Sequence, residues 1–239
     1  VSATDLGAVA VKAAVERSGV SGDDIERIYM GCVLPAGLGQ APARQAALKA
    51  GLPQSVQATT VNKVCGSGMQ TVIMGAEALA SGSIDVVIAG GMESMTNAPY
   101  ISQKHRGGAR AGHDTLYDHM FLDGLEDAYD KGRSMGAFAQ ASADEYQLTR
   151  QDQDAYTIES LRRAQAAIAS GAFEGEVVPV TVKTRKGDVT ISIDEAPGKG
   201  QPDKIPLLKP AFAQDGTITA ASSSSISDGA AAVVLSRAS

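Results

Sequence analysis

The residue whose type and setting best suit chemistry is Cys65. It lies in Val61-Asn62-Lys63-Val64-Cys65-Gly66-Ser67-Gly68-Met69. Upstream, residues 56–64 are short and rich in β-branched side chains, as in a strand. Downstream, Met69, Val72, Ile73, Ala76 and Leu79 recur at helical spacing. Cys65 is therefore expected where a strand feeds a helix, facing the unpaired N–H groups and positive dipole end of a helix N-terminus. Such a setting favours the thiolate. An ordinary thiol is only about 3% ionised at pH 7, and one lowered by about two units is roughly three-quarters ionised. Gly66 and Gly68 leave room for a substrate near the backbone and N–H groups to hold a developing oxyanion. The same position also suits a small buried core cysteine, the usual state of a free thiol.

The elements that must hold Cys65 follow from the flanking pattern. Ser2 or Thr4 can cap an opening helix with Asp5 in its first turn, and Gly19 ends it. Residues 25–33 read as a strand, and Pro42 suits the first position of a second helix. Asp85-Val86-Val87-Ile88-Ala89-Gly90-Gly91 is a continuous apolar run, expected of a parallel strand buried on both faces. The order α-β-α-β-α-β implies an α/β fold with a mostly parallel sheet and helices on both faces. Between residues 96 and 133 the periodicity is lost and a folded excursion is expected. Helices return over 134–146 and from Thr149, whose spacing to Asp152 resembles a capping box. Residues 177–182 and 189–193 form a hairpin signal around Lys186-Gly187-Asp188. Residues 195–210, with four prolines, read as a surface loop, and 217–220 as a short strand. Ser222 to Ser225 follow as a linker or buried ligand loop, and 231–235 as a core strand.

Composition narrows the function classes. The chain has 239 residues, enough for one large core or a domain and a half. Its formal charge of −6 argues against a nucleic-acid surface. No window has the length and apolarity of a membrane span, and no signal peptide opens the chain. Cys32 and Cys65 make no disulfide framework, and a cytoplasmic location is expected. His105, His113 and His119 share one stretch without metal-site spacing, so solvated loop histidines and no metal are expected.

These motifs together resemble the thiolases, specifically their acetyl-CoA acetyltransferase group. Val61 to Leu79 fits the family's nucleophile motif. Ala36-Gly37-Leu38-Gly39-Gln40-Ala41-Pro42-Ala43-Arg44-Gln45-Ala46-Ala47 is similar to the preceding loop and helix. Gly90-Gly91-Met92-Glu93-Ser94-Met95-Thr96-Asn97-Ala98-Pro99-Tyr100 is similar to the strand end after it. Ser227-Asp228-Gly229-Ala230-Ala231-Ala232 is similar to the end of the first domain.

The resemblance implies a thiolase N-terminal α/β domain over 1–96 and 227–239, and an inserted loop domain over 97–226. The family's opening strand and second domain are missing from this sequence. The implied reaction condenses two acetyl-CoA to acetoacetyl-CoA and CoA, or runs in reverse, through an acyl group on Cys65. Coenzyme A enters as substrate and no cofactor is needed. A homo-oligomer, dimer or tetramer, is implied, with no nucleic-acid or membrane partner. Ser224 falls where the family has a serine facing the pantetheine arm, a position that loop packing alone also suits. Leu125, Met135 and Ile226 fall at apolar tunnel positions. Ser134 stands where acetyl-CoA-specific members often have histidine, which keeps open a broader 3-ketoacyl-CoA thiolase of fatty-acid β-oxidation. Ser222 replaces a common asparagine, and Lys199 and Lys204 are candidates for the adenosine end. The activating histidine and second cysteine belong to the missing domain. The chain alone is thus expected to be inactive, and an inactive fragment that binds CoA thioesters is a further alternative.

Overall fold

In the computed structural model, which describes residues 1–237, the chain opens by alternating helix and strand. The order is α1 (Ala3–Ser18), β1 (Arg27–Gly31), α2 (Pro42–Lys49), β2 (Gln57–Val61), α3 (Ser67–Ala80) and β3 (Val86–Ser94). Local signals set several of these ends. The Ser2 hydroxyl accepts the Asp5 N–H at 3.2 Å, and Gly19 ends α1 in the left-handed conformation. Pro42 opens α2, where its missing N–H costs nothing.

The excursion that follows holds a two-residue pair, β4 (Tyr100–Ile101) with β5 (Tyr117–Asp118), and a π-helical turn at Phe121–Leu125. Next come α4 (Met135–Glu145) and α5 (Arg150–Ala169), the antiparallel hairpin β6 (Val180–Thr184) and β7 (Gly187–Ile191), and α6 (Glu195–Lys199). Finally β8 (Asp228–Ser236) returns to the first sheet.

That sheet has the order β2-β1-β3-β8. β1 is parallel to both β2 and β3, and β8 is antiparallel to β3. Strand alternation divides the core. Ile28, Met30, Cys32, Ile88 and Met92 pack with Ala3 and Val11 of α1 and Ala43, Ala46 and Ala47 of α2. Tyr29 and Val87 face the other way and pack with Leu79 of α3 and Ile84.

The chain divides into two compact units, Val1–Gly124 with the segment from Ile226, and Leu125–Ser225. Residues 97–124 and Ile226 thus fall with the first sheet, whereas the sequence reading groups 97–226 together.

Three local expectations need correction. Residues 195–210 lie largely at the surface but form helical turns in place of a loop: α6 is followed by a 3-10 turn at Pro202–Leu207. Arg150, paired with Asp154 at 2.8 Å, donates to the carbonyls of Ile205 and Leu208 and so holds that turn against α5. Residues 217–220 form no strand, only an isolated bridge between Pro210 and Thr219. The hairpin turns at Arg185 and Lys186, and Gly187, with φ 117°, already belongs to β7.

Candidate active site

Cys65 is exposed on the turn between β2 and α3, so the core-cysteine alternative does not hold. The turn is knotted by local hydrogen bonds. Asn62 Oδ1 accepts the Val64 N–H at 3.0 Å, an Asx turn. The buried Ser67 hydroxyl accepts the Lys63 N–H at 2.8 Å and donates to the Val64 carbonyl at 2.6 Å. Gly66 N–H returns to the Lys63 carbonyl. Val64 is held at φ 48°, a left-handed conformation that a β-branched residue rarely adopts. Strain of this kind costs about 1–3 kcal/mol and persists only where the surroundings over-determine it. Here they do so on both sides of Val64.

The helix N-terminus behind Cys65 sits hard on the sheet. A Cβ on Gly31, the last residue of β1, would lie 2.7 Å from Ser67 Cβ, and one on Gly91 would lie 3.5 Å from Gly68 Cα. Thr71, fully buried, donates to the carbonyls of Gly68 and Gly90. Gly66 has φ −86°, and a Cβ on Gly68 would meet open space. Packing therefore demands glycine at 31, a Cβ on Gly91 would make only ordinary contact, and Gly68 keeps the approach to the first turn of α3 clear. Cys65 lies beyond the carboxyl end of a parallel strand, where α/β sheets place their ligands.

Cys32 follows β1 as Cys65 follows β2, with a different outcome. It is 1% exposed, and its thiol donates to Glu93 at 3.7 Å. Burial first, then the Glu93 charge, push that thiol up to about 12. The Glu93 carboxylate also accepts the N–H groups of Val33 at 2.7 Å and Leu34 at 3.1 Å. Cys32 is thus a structural thiol.

Of the other predicted site residues, Ile226 is exposed in the first unit, just ahead of β8. Leu125, Ser134, Met135 and Ser224 belong to the second. There a bridge between Glu126 and Ser134 brings Leu125 and Met135 to one locality. Leu125 is half-buried and Met135 exposed. The Ser134 hydroxyl accepts the Ala137 N–H at 3.3 Å as the N-cap of α4, so its oxygen already has a structural task. In the serine run, Ser222 and Ser223 donate to the Thr219 carbonyl. Ser224 is exposed and, among the described residues, its hydroxyl is engaged by no protein group.

The expectation of three solvated histidines fails at His119, which is 4% exposed. Its Nε2 accepts the Ala36 N–H at 3.3 Å, so the neutral ring carries its proton on Nδ1, toward Asp123 at 2.6 Å. His119 is a tether for the loop after β1, with both nitrogens occupied. His105 and His113 are exposed, and His105 pairs with Asp114. Among the described residues no group of three or more His, Cys, Asp or Glu could hold a metal ion. Nor is any described helix long and apolar enough to cross a membrane.

The setting in the sequence points to Cys65, and the family resemblance to Ser224, but neither points to Val64, Asn62 and Ser67, which set the geometry of the thiol. The available signal was Asn62 two residues before Val64, the spacing of an Asx turn.

Comparison with known proteins gives the family of the chain. An acetyl-CoA acetyltransferase of Schizosaccharomyces pombe is 47% identical over 98% of this chain and 59% of its own length. One from Yarrowia lipolytica is 49% identical over 98% of this chain and 58% of its own length. The crystal structure of the Acat5 thiolase from Ascaris suum, in complex with coenzyme A, superposes with a TM-score of 0.91 at 45% identity. It covers 99% of this chain and 60% of that one. The chain thus spans somewhat less than two thirds of the proteins it matches. The family described as thiolase, N-terminal domain, matches residues 1–239, and the chain belongs to the thiolase family through that domain.

Proposed function

We propose that this chain carries the acyl-accepting half of an acetyl-CoA C-acetyltransferase. The observation that carries the reading is an exposed cysteine held on an over-determined turn at the N-terminus of α3. In the first step the Cys65 thiolate attacks the carbonyl carbon of acetyl-CoA. The carbonyl π electrons move to oxygen, and the Cys65 N–H and those at the open end of α3 stabilise that charge, because the Gly66 N–H is spent on the Lys63 carbonyl. That attack forms the Sγ–carbon bond; collapse restores the carbonyl and breaks the bond to CoA, which leaves as a thiolate and is protonated. In the second step the methyl group of another acetyl-CoA loses a proton, and its carbanion attacks the acetyl-cysteine. Acetoacetyl-CoA departs and the Cys65 thiolate returns. The bases for these proton transfers belong to the part of the relatives that this chain does not match. Within the second unit the free Ser224 hydroxyl, with Leu125 and Met135 as apolar walls, contacts the pantetheine arm. The parent enzyme is a cytoplasmic homo-oligomer that uses CoA as substrate and no cofactor.

The test uses the full-length enzyme containing this chain. Incubation with acetyl-CoA places one acetyl group on Cys65, detected by peptide mass spectrometry. Cys65→Ser lowers turnover of acetoacetyl-CoA plus CoA at least about a thousandfold. Acetylation at another residue, or turnover that survives the substitution, overturns the reading.

A second reading, a broader 3-ketoacyl-CoA thiolase, is favoured by Ser134, whose hydroxyl is spent on capping α4. Relative kcat/KM for acetoacetyl-CoA and for longer 3-ketoacyl-CoAs separates the two.

A further inference from the structure

The second unit contains a buried polar cluster that the acyl-transfer chemistry does not use. Gln140 lies on α4 and is 4% exposed. Its Oε1 accepts two backbone N–H groups, from Thr217 at 2.9 Å and Ile218 at 3.1 Å. Its Nε2 donates to Asp144 Oδ1 at 2.8 Å and to Thr217 Oγ1 at 3.3 Å. Both acceptor sites and both donors of the amide are therefore engaged. Thr217 Oγ1 takes a second N–H from Gln153 of α5 at 2.9 Å, so two helices grip the same hydroxyl. The backbone comes close enough only because residue 216 is glycine: a Cβ there would lie 2.6 Å from Gln140 Oε1.

This grip is passed on along the chain. After Thr217 come Ile218 and Thr219, 8% and 0% exposed. Thr219 N–H donates to Ser222 Oγ at 2.9 Å, and the Thr219 carbonyl accepts from Ser223 Oγ at 2.7 Å. Ser224 is the next residue, exposed and with its hydroxyl unengaged among the described residues. A packing role alone would be served by an apolar side chain. A fully satisfied polar cluster instead selects one backbone geometry, because every alternative leaves buried groups unpaired.

We propose that Gln140 is a positioning residue that holds residues 217–224 in the geometry in which Ser224 meets the CoA thioester. The proposal rests on the acyl-CoA reading above. A loop already ordered binds without the loss of entropy that a loose one incurs on binding, so the residue acts on affinity and not on the chemistry at Cys65.

The experiment measures steady-state kinetics and Cys65 labelling by iodoacetamide in the full-length enzyme. Gln140→Leu and Thr217→Val each raise KM for acetoacetyl-CoA about tenfold, with kcat within about threefold and the labelling rate within about twofold. Gln140→Glu places a second carboxylate against Asp144 and raises KM likewise. Adding Asp144→Asn restores a donor facing the new carboxylate and brings KM back. An unchanged KM with only a lowered melting temperature overturns the proposal, as does a parallel loss of Cys65 labelling. If Ser224→Ala raises KM and Gln140→Leu does not, this inference fails and the acyl-CoA reading stands. If the unsubstituted enzyme shows no saturation by a CoA thioester, both fail.

Discussion

Cys32 and Cys65 stand just beyond the carboxyl ends of adjacent parallel strands, yet one is sealed and the other presented. After β1 the chain runs into a loop whose first amides are taken by Glu93, and the thiol turns into the apolar layer beneath α1 and α2. After β2 the chain makes a left-handed step at Val64 that Asn62 and Ser67 enforce, and the thiol emerges at the start of α3. The end of a parallel strand is thus a favourable place for a nucleophile, but not a sufficient one. What decides is whether the next residues spend their hydrogen bonds on closing the loop over the side chain or on tightening the turn beneath it.

The contrast is broken most directly by alkylation. At pH 8 iodoacetamide is expected to modify Cys65 at least about a hundredfold faster than Cys32, because only an accessible thiolate reacts. Unfolding in guanidinium brings the two rates together. Equal native rates, read by peptide mass spectrometry, would abolish the distinction.

A middle-sized effect comes from the turn. Ser67→Ala leaves the Lys63 N–H and the Val64 carbonyl without their shared partner, at a cost of about 1–3 kcal/mol. Cys65 labelling changes with it, and Cys32 remains protected. Chemical denaturation measures the first and labelling the second. A variant as stable as the parent, with unchanged labelling, removes Ser67 from the account.

The effect that vanishes near neutral pH is in the pH dependence of stability. Cys32 has a folded-state value raised to about 12, above its unfolded one near 9. Its contribution is therefore fully present below about pH 9 and lost as pH rises toward 12, because the unfolded chain gives up the proton first. The difference in unfolding free energy between the parent and Cys32→Ala should fall over that range with a slope of about one proton. A flat difference would mean that the thiol is not sealed.

Much of the architecture was legible because burial imposes a period. The strand after Asp85, the helix after Ser67 and the helix opened by Pro42 each follow from apolar spacing and cap chemistry. The N-cap at Thr149 is present: its hydroxyl accepts the Asp152 N–H at 3.1 Å and donates to the Asp152 carboxylate at 2.6 Å. Legibility failed where partners are distant in sequence. Residues 195–210 gain order from Arg150, and His119 is buried because Ala36 and Asp123 use both of its nitrogens. Gln140 was unremarked for the same reason: its partners at 217 and 218 lie far along the chain.

By itself the sequence determined the alternation of elements, the candidate nucleophile and the family to which the chain belongs. These depend on local spacing and on residues that adjoin one another in the chain. Only the tertiary structure decided which cysteine is exposed and which glycine the helix needs beneath it. It also decided which serine hydroxyl stays free and which histidine is a tether. Each of these turns on how the hydrogen bonds and volumes of segments far apart in sequence are shared, and hydrophobic period carries no record of that sharing.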